Sequence, residues 1–184
     1  MNITFVTGNE NKRREVAAIL NMPDLKSTKM DLPELQSMDL EEIIRAKLQP
    51  AFKWVGGPVL VEDIAYELEA VGGFPGPFVK FWEKAGMHDG VLANIEKSGK
   101  NGAKILAAVG YKDAEQEIIV IETLLGKHVA RTDGECWGFG FYFIPNGETK
   151  TFAQLGPEKV NQISHRFLAW TAMKKKLQDS GITL

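Results

Sequence analysis

The chain has 184 residues, 44% of them hydrophobic and 25% charged, which is enough apolar material for one globular domain with a buried core. Its net charge of -2 lacks the basic excess that a nucleic-acid polymer requires, and no apolar run is long enough to span a bilayer. The single Cys136 cannot form an intramolecular disulfide and no secretory leader is apparent, so we expect a cytoplasmic protein.

The first residues predict a strand, a tight loop and a helix. Ile3–Val6 is β-branched and aromatic, Thr7–Asn9 is a turn, and helical periodicity covers residues 12–21. A helix start directs backbone N–H groups and the positive end of the helix dipole at one point, which favours an anion. Asn9 can cap the helix, and Lys12 adds a full positive charge there. We predict a phosphate-binding loop, although many α/β proteins bind nothing at such a turn and the GxxxxGK[ST] pattern is absent.

The remaining pattern is that of a mixed α/β fold in one domain. Strands are predicted at Leu25–Met30, Pro58–Val61, Ala103–Tyr111, Glu117–Leu124, Val129–Thr132 and Gly138–Ile144, and helices at Asp39–Trp54, Val91–Lys97 and Ser164–Leu177. Gly72–Pro77 is too rich in Gly and Pro for regular structure. No repeat, low-complexity segment or interdomain linker interrupts residues 1–184.

Acidic residues follow one of the predicted strands. Glu62 and Asp63 come directly after Pro58–Val61, and α/β sheets place ligands at the carboxyl ends of strands. Adjacent carboxylates at such a place could bind Mg²⁺, which prefers oxygen ligands. A solvated acidic turn would explain Glu62 and Asp63 equally well. Glu34 is a further acidic candidate that is equally compatible with an ordinary surface position.

Basic residues occur at two further places. Lys80 follows the stiff Gly72–Pro77 loop, where it could meet a phosphate or simply be solvated, and Ser164-His165-Arg166 opens the last helix. The hydroxyl, imidazole and guanidinium of the latter suit a nucleobase carbonyl or a phosphate, but a Ser cap before basic residues is common. Neither a serine-hydrolase elbow nor a Cys/His metal spacing occurs in the sequence, so covalent catalysis and zinc chemistry lack support.

A series of motifs is more informative in its order than any single member. These are TGNENK at 7–12, DLPELQ at 31–36, VLVED at 59–63, GGFPGPFVKFW at 72–82 and NQISHR at 161–166. Together they resemble the inosine triphosphate pyrophosphatase family, whose members hydrolyse ITP, dITP and XTP to the monophosphate and pyrophosphate. The resemblance runs almost end to end and is closest to the eukaryotic-type members in DLPELQ and GPVLVED.

The resemblance implies an architecture, partners and a cofactor. The family has an elongated, two-lobed α/β fold with a long central mixed sheet flanked by helices and a nucleotide cleft. It implies a nucleoside triphosphate substrate, a homodimer, and Mg²⁺ as cofactor with Mn²⁺ as an alternative.

The resemblance also implies roles for individual residues. The substrate's phosphates would be contacted by Thr7, Gly8, Asn9, Lys12, Lys47 and Lys80. The metal would be bound by Glu34 and Asp63, with Glu62 in support, and the catalytic residues would be Asp63, Lys12 and Glu62. The base would be contacted by His165 and Arg166, seated by Ser164, and Phe139 would occupy the base-stacking position.

The chain departs from the family pattern at the base end. Gly140 stands where the family has Asp, and Val160 stands where it has Lys, with Lys159 displaced by one residue. Loss of polar groups at a recognition site changes discrimination strongly. We therefore expect nucleotide pyrophosphohydrolysis more firmly than a preference for inosine, and we leave open that Lys159 reaches inward. A nucleotide-binding or regulatory relative that has lost turnover is the alternative.

Overall fold

The computed structural model describes residues 3–183 and has a mixed α/β fold, as predicted. Its strands are β1 Thr4–Val6, β2 Ser27–Thr28, β3 Val59–Leu68, β4 Pro75–Gly76, β5 Gly102–Lys112, β6 Glu117–His128 and β7 Phe143–Pro145. Its α-helices are α1 Glu10–Leu20, α2 Leu40–Val55, α3 Val79–Lys84, α4 His88–Ser98, α5 Phe152–Ile163 and α6 His165–Asp179. Single 3-10 turns lie at Glu69–Val71 and Gly138–Phe141.

The sheet is mixed in strand direction. Its order is β2-β1-β3-β5-β6-β7, and β4 pairs with β3 outside that path. β1 lies parallel to both β2 and β3, whereas β4 runs antiparallel to β3 and β7 antiparallel to β6. No α-helix between residues 3 and 183 is both long and apolar enough to cross a membrane.

The chain divides into two compact units. Unit 1 comprises Met1–Asp63, Ala107–Glu122 and Arg166–Leu184, and unit 2 comprises Ile64–Leu106 and Thr123–His165. Each unit has its own buried apolar side chains, and each is described separately below.

Unit 1 is organised around β1 and the helices α1, α2 and α6. The helix α2 begins at the N-cap Asp39, whose side chain accepts the N–H of Glu41 at 2.8 Å, and it buries one apolar face. The buried Phe5 of β1 meets the edge of Trp170 on α6, with 5.0 Å between ring centroids. Edge-to-face packing of this kind adds to the stabilisation that comes from burial alone.

Unit 2 buries a cluster of aromatic side chains. Tyr66 from β3 lies among Trp82, Phe139 and Phe143, with ring centroids 4.7–6.4 Å apart. Tyr66 and Phe143 are both fully buried. This cluster connects β3 to the turn Gly138–Phe141, which the sequence analysis assigned to a strand.

The element predictions failed where regular structure continues past a polar residue. The strand predicted to end at Val61 runs on to Leu68, because the apolar residues that follow Glu62 and Asp63 keep it inside the core. Val129–Thr132 is not a strand, since β6 already ends at His128, and α5 was not foreseen.

Candidate functional site

The loop Thr7–Asn9 connects β1 to α1 as predicted. The side-chain oxygen of Asn9 accepts the N–H groups of Asn11 at 2.9 Å and Lys12 at 3.2 Å, so the predicted helix cap is confirmed. The backbone N–H of Asn9 donates in turn to the Thr7 hydroxyl at 3.2 Å. These bonds hold the loop in one conformation at the positive end of the helix dipole.

A cavity of about 210 Å³ opens at this loop, within unit 1. It is lined by Thr7, Gly8, Asn9, Glu10, Arg13, Ser27, Thr28 and Lys29. Arg13 forms a forked ion pair with Glu10, with a shortest contact of 2.6 Å. The cavity thus combines backbone at a helix start with cationic side chains, a chemistry suited to a phosphate group.

Lys29 at this cavity was missed by the sequence analysis. The Cγ atom of Lys29 lies 3.2 Å from the position that a Cβ on Gly8 would occupy, so the lysine side chain packs closely against Gly8. The feature that could have revealed it is the parallel pairing of β2 with β1, which brings the residue after β2 beside the loop. A two-residue strand is too short for that pairing to be read from sequence.

Glu62 is the centre of a buried charged cluster in unit 1, which we call the Glu62 cluster and define as Glu62, Lys12, Arg166 and Trp170. One carboxylate oxygen, Oε1, lies 3.0 Å from Arg166 Nε and 3.3 Å from Lys12 Nζ. The other, Oε2, accepts the indole N–H of Trp170 at 2.7 Å. Burial alone would raise the pKa of Glu62, but the charges of Arg166 and Lys12 lower it to about 2.

This geometry defines what Glu62 can do. A carboxylate that is fully buried and bonded through both oxygens stays ionised near neutral pH. It is therefore suited to hold Lys12 and Arg166 in place rather than to accept a proton from water. Its predicted catalytic role remains a prediction, and its contacts favour positioning.

Asp63 lies on the other face of β3. Consecutive residues of a strand point to opposite sides, and Asp63 forms an ion pair with Lys47 of α2, whereas Glu62 meets α1 and α6. This geometry argues against the two adjacent carboxylates sharing one ion, and the metal site stays a prediction. Their placement after the end of a strand is wrong, since both lie within β3.

Glu34 lies exposed in the irregular segment between β2 and α2, also in unit 1. Among residues 3–183, no three His, Cys, Asp or Glu side chains converge in a way that could hold a metal ion. The assignment of Glu34 and Asp63 as metal ligands stays a prediction. Lys80 lies exposed in the first turn of α3, in unit 2.

The base-end residues are more deeply buried than the sequence analysis anticipated. Phe139 is 6% exposed, and its ring stacks on Tyr66 at a centroid distance of 4.7 Å and an interplanar angle of 18°. A ring in this environment has little surface left for a base, so its contacts argue against the stacking role. Trp137, which precedes the turn, is only half-buried, and the sequence analysis overlooked it.

The Ser164-His165-Arg166 motif lies at the junction of α5 and α6. All three residues are at most 3% exposed. His165 lies 5.8 Å from Phe139 between ring centroids, in unit 2. Arg166 donates to Glu62 and, through Nη1, to Glu15 at 2.9 Å in unit 1. That Arg166 faces a base stays a prediction, and its observed contacts are carboxylates.

The two departures from the family pattern have structural counterparts. A Cβ built on Gly140 would lie 2.0 Å from Cys136 Sγ, so the cysteine occupies the space that any side chain at 140 would enter. Lys159 lies 3.5 Å from Glu148, and its side chain is 48% exposed. The alternative that Lys159 reaches inward is therefore not what the structure shows.

Comparisons with known proteins agree with this architecture. The model of the Ham1 family matches residues 3–176. The inosine triphosphate pyrophosphatase of Emericella nidulans is 34% identical over 96% of this chain and 97% of its own length. The dITP/XTP pyrophosphatase of Methanopyrus kandleri is 36% identical over 90% of each chain.

Solved structures share the fold. A HAM1 protein from Coxiella burnetii superposes with a TM-score of 0.82 at 22% identity, covering 96% of this chain and 98% of that one. The Staphylococcus aureus Ham1 protein gives a TM-score of 0.81 at 21% identity, covering 97% and 99%. The molecule is thus a mixed α/β protein in which a strand–loop–helix junction borders a cavity with cationic side chains. It belongs to the Ham1 family.

Proposed function

We propose that the protein hydrolyses nucleoside triphosphates to the monophosphate and pyrophosphate and removes non-standard nucleotides, with ITP, dITP and XTP as the first candidates. The names of the curated relatives support the reaction and the substrates. The observation that carries it is the capped loop Thr7–Asn9 with its cationic cavity. This junction has the geometry and charge to bind a polyphosphate.

The chemistry needs no covalent intermediate. A water oxygen forms a bond to the α-phosphorus and its proton is released to the surrounding water, while the bond from that phosphorus to the bridging oxygen breaks and pyrophosphate leaves with the bonding electrons. The positive end of the α1 dipole and the ammonium of Lys12 oppose the negative charge of the phosphates as it shifts toward the leaving group. The Glu62 cluster holds Lys12 in position for this task.

The proposal includes Mg²⁺, with Mn²⁺ as an alternative. The donor set fits the ion in kind, because Asp63 and Glu34 supply carboxylate oxygens and Mg²⁺ is usually bound by one or two carboxylates together with substrate phosphates. A bound ion would polarise the phosphoryl oxygens as a Lewis acid. Lys47 holds the Asp63 carboxylate in its present orientation and neutralises it.

Base recognition is assigned to unit 2. We place Trp137 and His165 at the base end, with Phe139 and Ser164 packed beneath, because Trp137 retains surface that Phe139 lacks. Lys80 and Lys47 are the remaining predicted phosphate contacts.

The same proposal includes a cytoplasmic location and a homodimer, for which exposed apolar side chains such as Phe74 and Phe81 are candidate contacts.

A panel of nucleotides with pyrophosphate detection tests the proposal. ITP, dITP, XTP, ATP and GTP are each incubated with Mg²⁺, with Mn²⁺ and with a chelator. We expect pyrophosphate from at least one non-standard nucleotide, and none after chelation. Absence of pyrophosphate from every nucleotide with either ion would overturn it.

A second candidate function follows from the base end. Since Cys136 fills the space at Gly140 and Lys159 pairs with Glu148, the chain could bind a nucleotide without turning it over. Tight binding of ITP by calorimetry without product, unchanged in Asp63→Asn, would favour this regulatory reading. Turnover in the nucleotide panel excludes it.

A further inference from the structure

Tyr66 carries a buried hydroxyl in the middle of the apolar cluster of unit 2. Its ring is fully buried, and its hydroxyl lies 2.8 Å from Nδ1 of His128, which is 1% exposed. Burying two polar groups is costly unless they bond to each other, and a bonded pair fixes the orientation of both. A core that needed only apolar volume at this place would be served by a phenylalanine.

The stacked face of Tyr66 supports Phe139. Their rings are 4.7 Å apart and nearly parallel, while Trp82 and Phe143 meet Tyr66 at steep angles. Tyr66 is therefore held by its neighbours and by a hydrogen bond, and Phe139 rests on a ring with a defined orientation. Stacked and edge-to-face contacts prefer such defined geometries.

The turn around Phe139 is held at its end by hydrogen bonds, because the carbonyl of Phe141 accepts both the N–H and the hydroxyl of Thr132 at 3.0 Å. Within the turn, Gly138 and Gly140 have no side chains, and Gly138 has a φ of +60°, a conformation that other residues rarely adopt. Phe141, the remaining aromatic of the turn, is only half-buried, with Arg131 over its ring at 3.9 Å. Phe139 is the buried anchor of this turn.

The position of Phe139 affects both of its functional neighbours. Trp137 lies two residues before it along the chain, and the ring of His165 lies 5.8 Å from its own. These are the residues that the proposed function places at the base. A shift of Phe139 would move the turn and change the packing of His165.

We propose that Tyr66, bonded to His128, is a positioning residue for the base end of the site: it fixes Phe139 and thereby the segment 137–141 and His165. This inference rests on the proposed function. Burial and the nearby His88 lower the pKa of His128 to about 4, and burial raises the pKa of Tyr66, so both partners of the bond are neutral near neutral pH.

The test uses two variants of Tyr66 and a matched control. Tyr66→Leu removes the ring face, and Tyr66→Phe removes only the hydroxyl. The control is Tyr111→Phe in unit 1, because Tyr111 is also a fully buried tyrosine, and its hydroxyl donates to Asp113 at 2.7 Å. For each full-length protein we would measure kcat and KM for ITP and ATP, and amide hydrogen exchange in peptides covering residues 137–142.

We expect Tyr66→Leu to raise KM for ITP and ATP by the same factor, about two- to tenfold, which is the size of one aromatic contact. Stacking does not discriminate among bases, so selectivity holds, and kcat holds because the phosphate residues are unchanged. Exchange in residues 137–142 becomes faster. Tyr66→Phe raises KM and speeds exchange at residues 137–142 by a smaller amount, and Tyr111→Phe changes neither KM nor exchange.

A merely structural role has a different signature. General destabilisation lowers the active fraction, and so the apparent kcat, while KM stays unchanged. The proposal is overturned if the KM of Tyr66→Leu, or its amide exchange at residues 137–142, equals that of the wild type. If Tyr66→Leu does not fold, the same two comparisons are made with Tyr66→Phe. If the wild type itself releases no pyrophosphate, the proposed function fails, and exchange alone decides the positioning of the segment.

Discussion

The loop in unit 1 where we propose phosphate binding and the segment in unit 2 where we propose base recognition are built by different means. The loop Thr7–Asn9 is held by hydrogen bonds between near neighbours in sequence and borders an open cavity with Lys29. The segment around Phe139 is held by buried rings that come from distant parts of the chain. We therefore expect substitutions at the loop to act through charge and substitutions in the segment to act through packing.

The largest effect is expected from Lys12. Lys12→Met removes the cation that the Glu62 cluster holds beside the loop, and kcat/KM should fall by about 100-fold or more, as for other groups that stabilise transition-state charge. Pyrophosphate release measures this. The control is Lys26→Met, an exposed lysine beside β2. A Lys12→Met enzyme with the activity of the control would remove Lys12 from the reaction.

Glu62 and Asp63 are expected to separate stability from activity. Glu62→Gln leaves Arg166 and Lys12 without their buried counter-charge, which should cost about 3 kcal/mol of unfolding free energy. Asp63→Asn, on the half-exposed opposite side of β3, should retain most of the stability and lose turnover. Urea unfolding and pyrophosphate release measure the two quantities, and equal loss of stability in both variants would contradict the assignment.

The Glu62 carboxylate should also make the free energy of unfolding depend on pH in acid. The pKa of Glu62 falls from its ordinary 4.5 to about 2 on folding, so the unfolded chain binds the proton more readily. This contribution to stability is fully present above pH 4.5 and is lost as pH falls toward 2. In Glu62→Gln that part of the pH dependence should vanish, as measured by urea unfolding at successive pH values. A wild-type acid profile in Glu62→Gln would contradict the cluster geometry.

Cys136 and Gly140 should behave as a coupled pair. Gly140→Asp alone places a side chain against Cys136 Sγ and should destabilise the protein by about 1–3 kcal/mol, as overpacking does. Cys136→Ala combined with Gly140→Asp should recover part of that loss, because the sulfur is gone. Thermal unfolding of both single variants and the double variant gives the coupling. If the effects of the two single substitutions on stability simply add in the double variant, the cysteine does not restrict which side chain fits at position 140.

The smallest effect is expected from Lys29. Its ammonium lies at the exposed edge of the cavity, so Lys29→Met should raise KM by about two- to tenfold and leave kcat nearly unchanged. Steady-state kinetics measure this, again with Lys26→Met as control. The rise should shrink at high salt, since an exposed charge is screened. A loss of kcat instead would place Lys29 among the catalytic groups.

Sequence reasoning worked where the determinants were local. The mixed α/β fold, the Asn9 cap and the loop at α1 could be predicted, because capping and periodicity involve residues a few positions apart. The course of β3 through Glu62 and Asp63 could not, since their charges predict an exposed end, and Arg166, which neutralises Glu62, lies far along the chain. The burial of Phe139 likewise depends on Tyr66 from another strand.

The central claim is that water attacks the α-phosphorus, and the most direct test is to find which product receives the oxygen atom of water. The protein is incubated with ITP in water enriched in oxygen-18, and the products are separated and weighed by mass spectrometry. Attack at the α-phosphorus predicts the heavy oxygen in the monophosphate and none in the pyrophosphate. Heavy oxygen in pyrophosphate, or release of orthophosphate as the first product, would contradict the account.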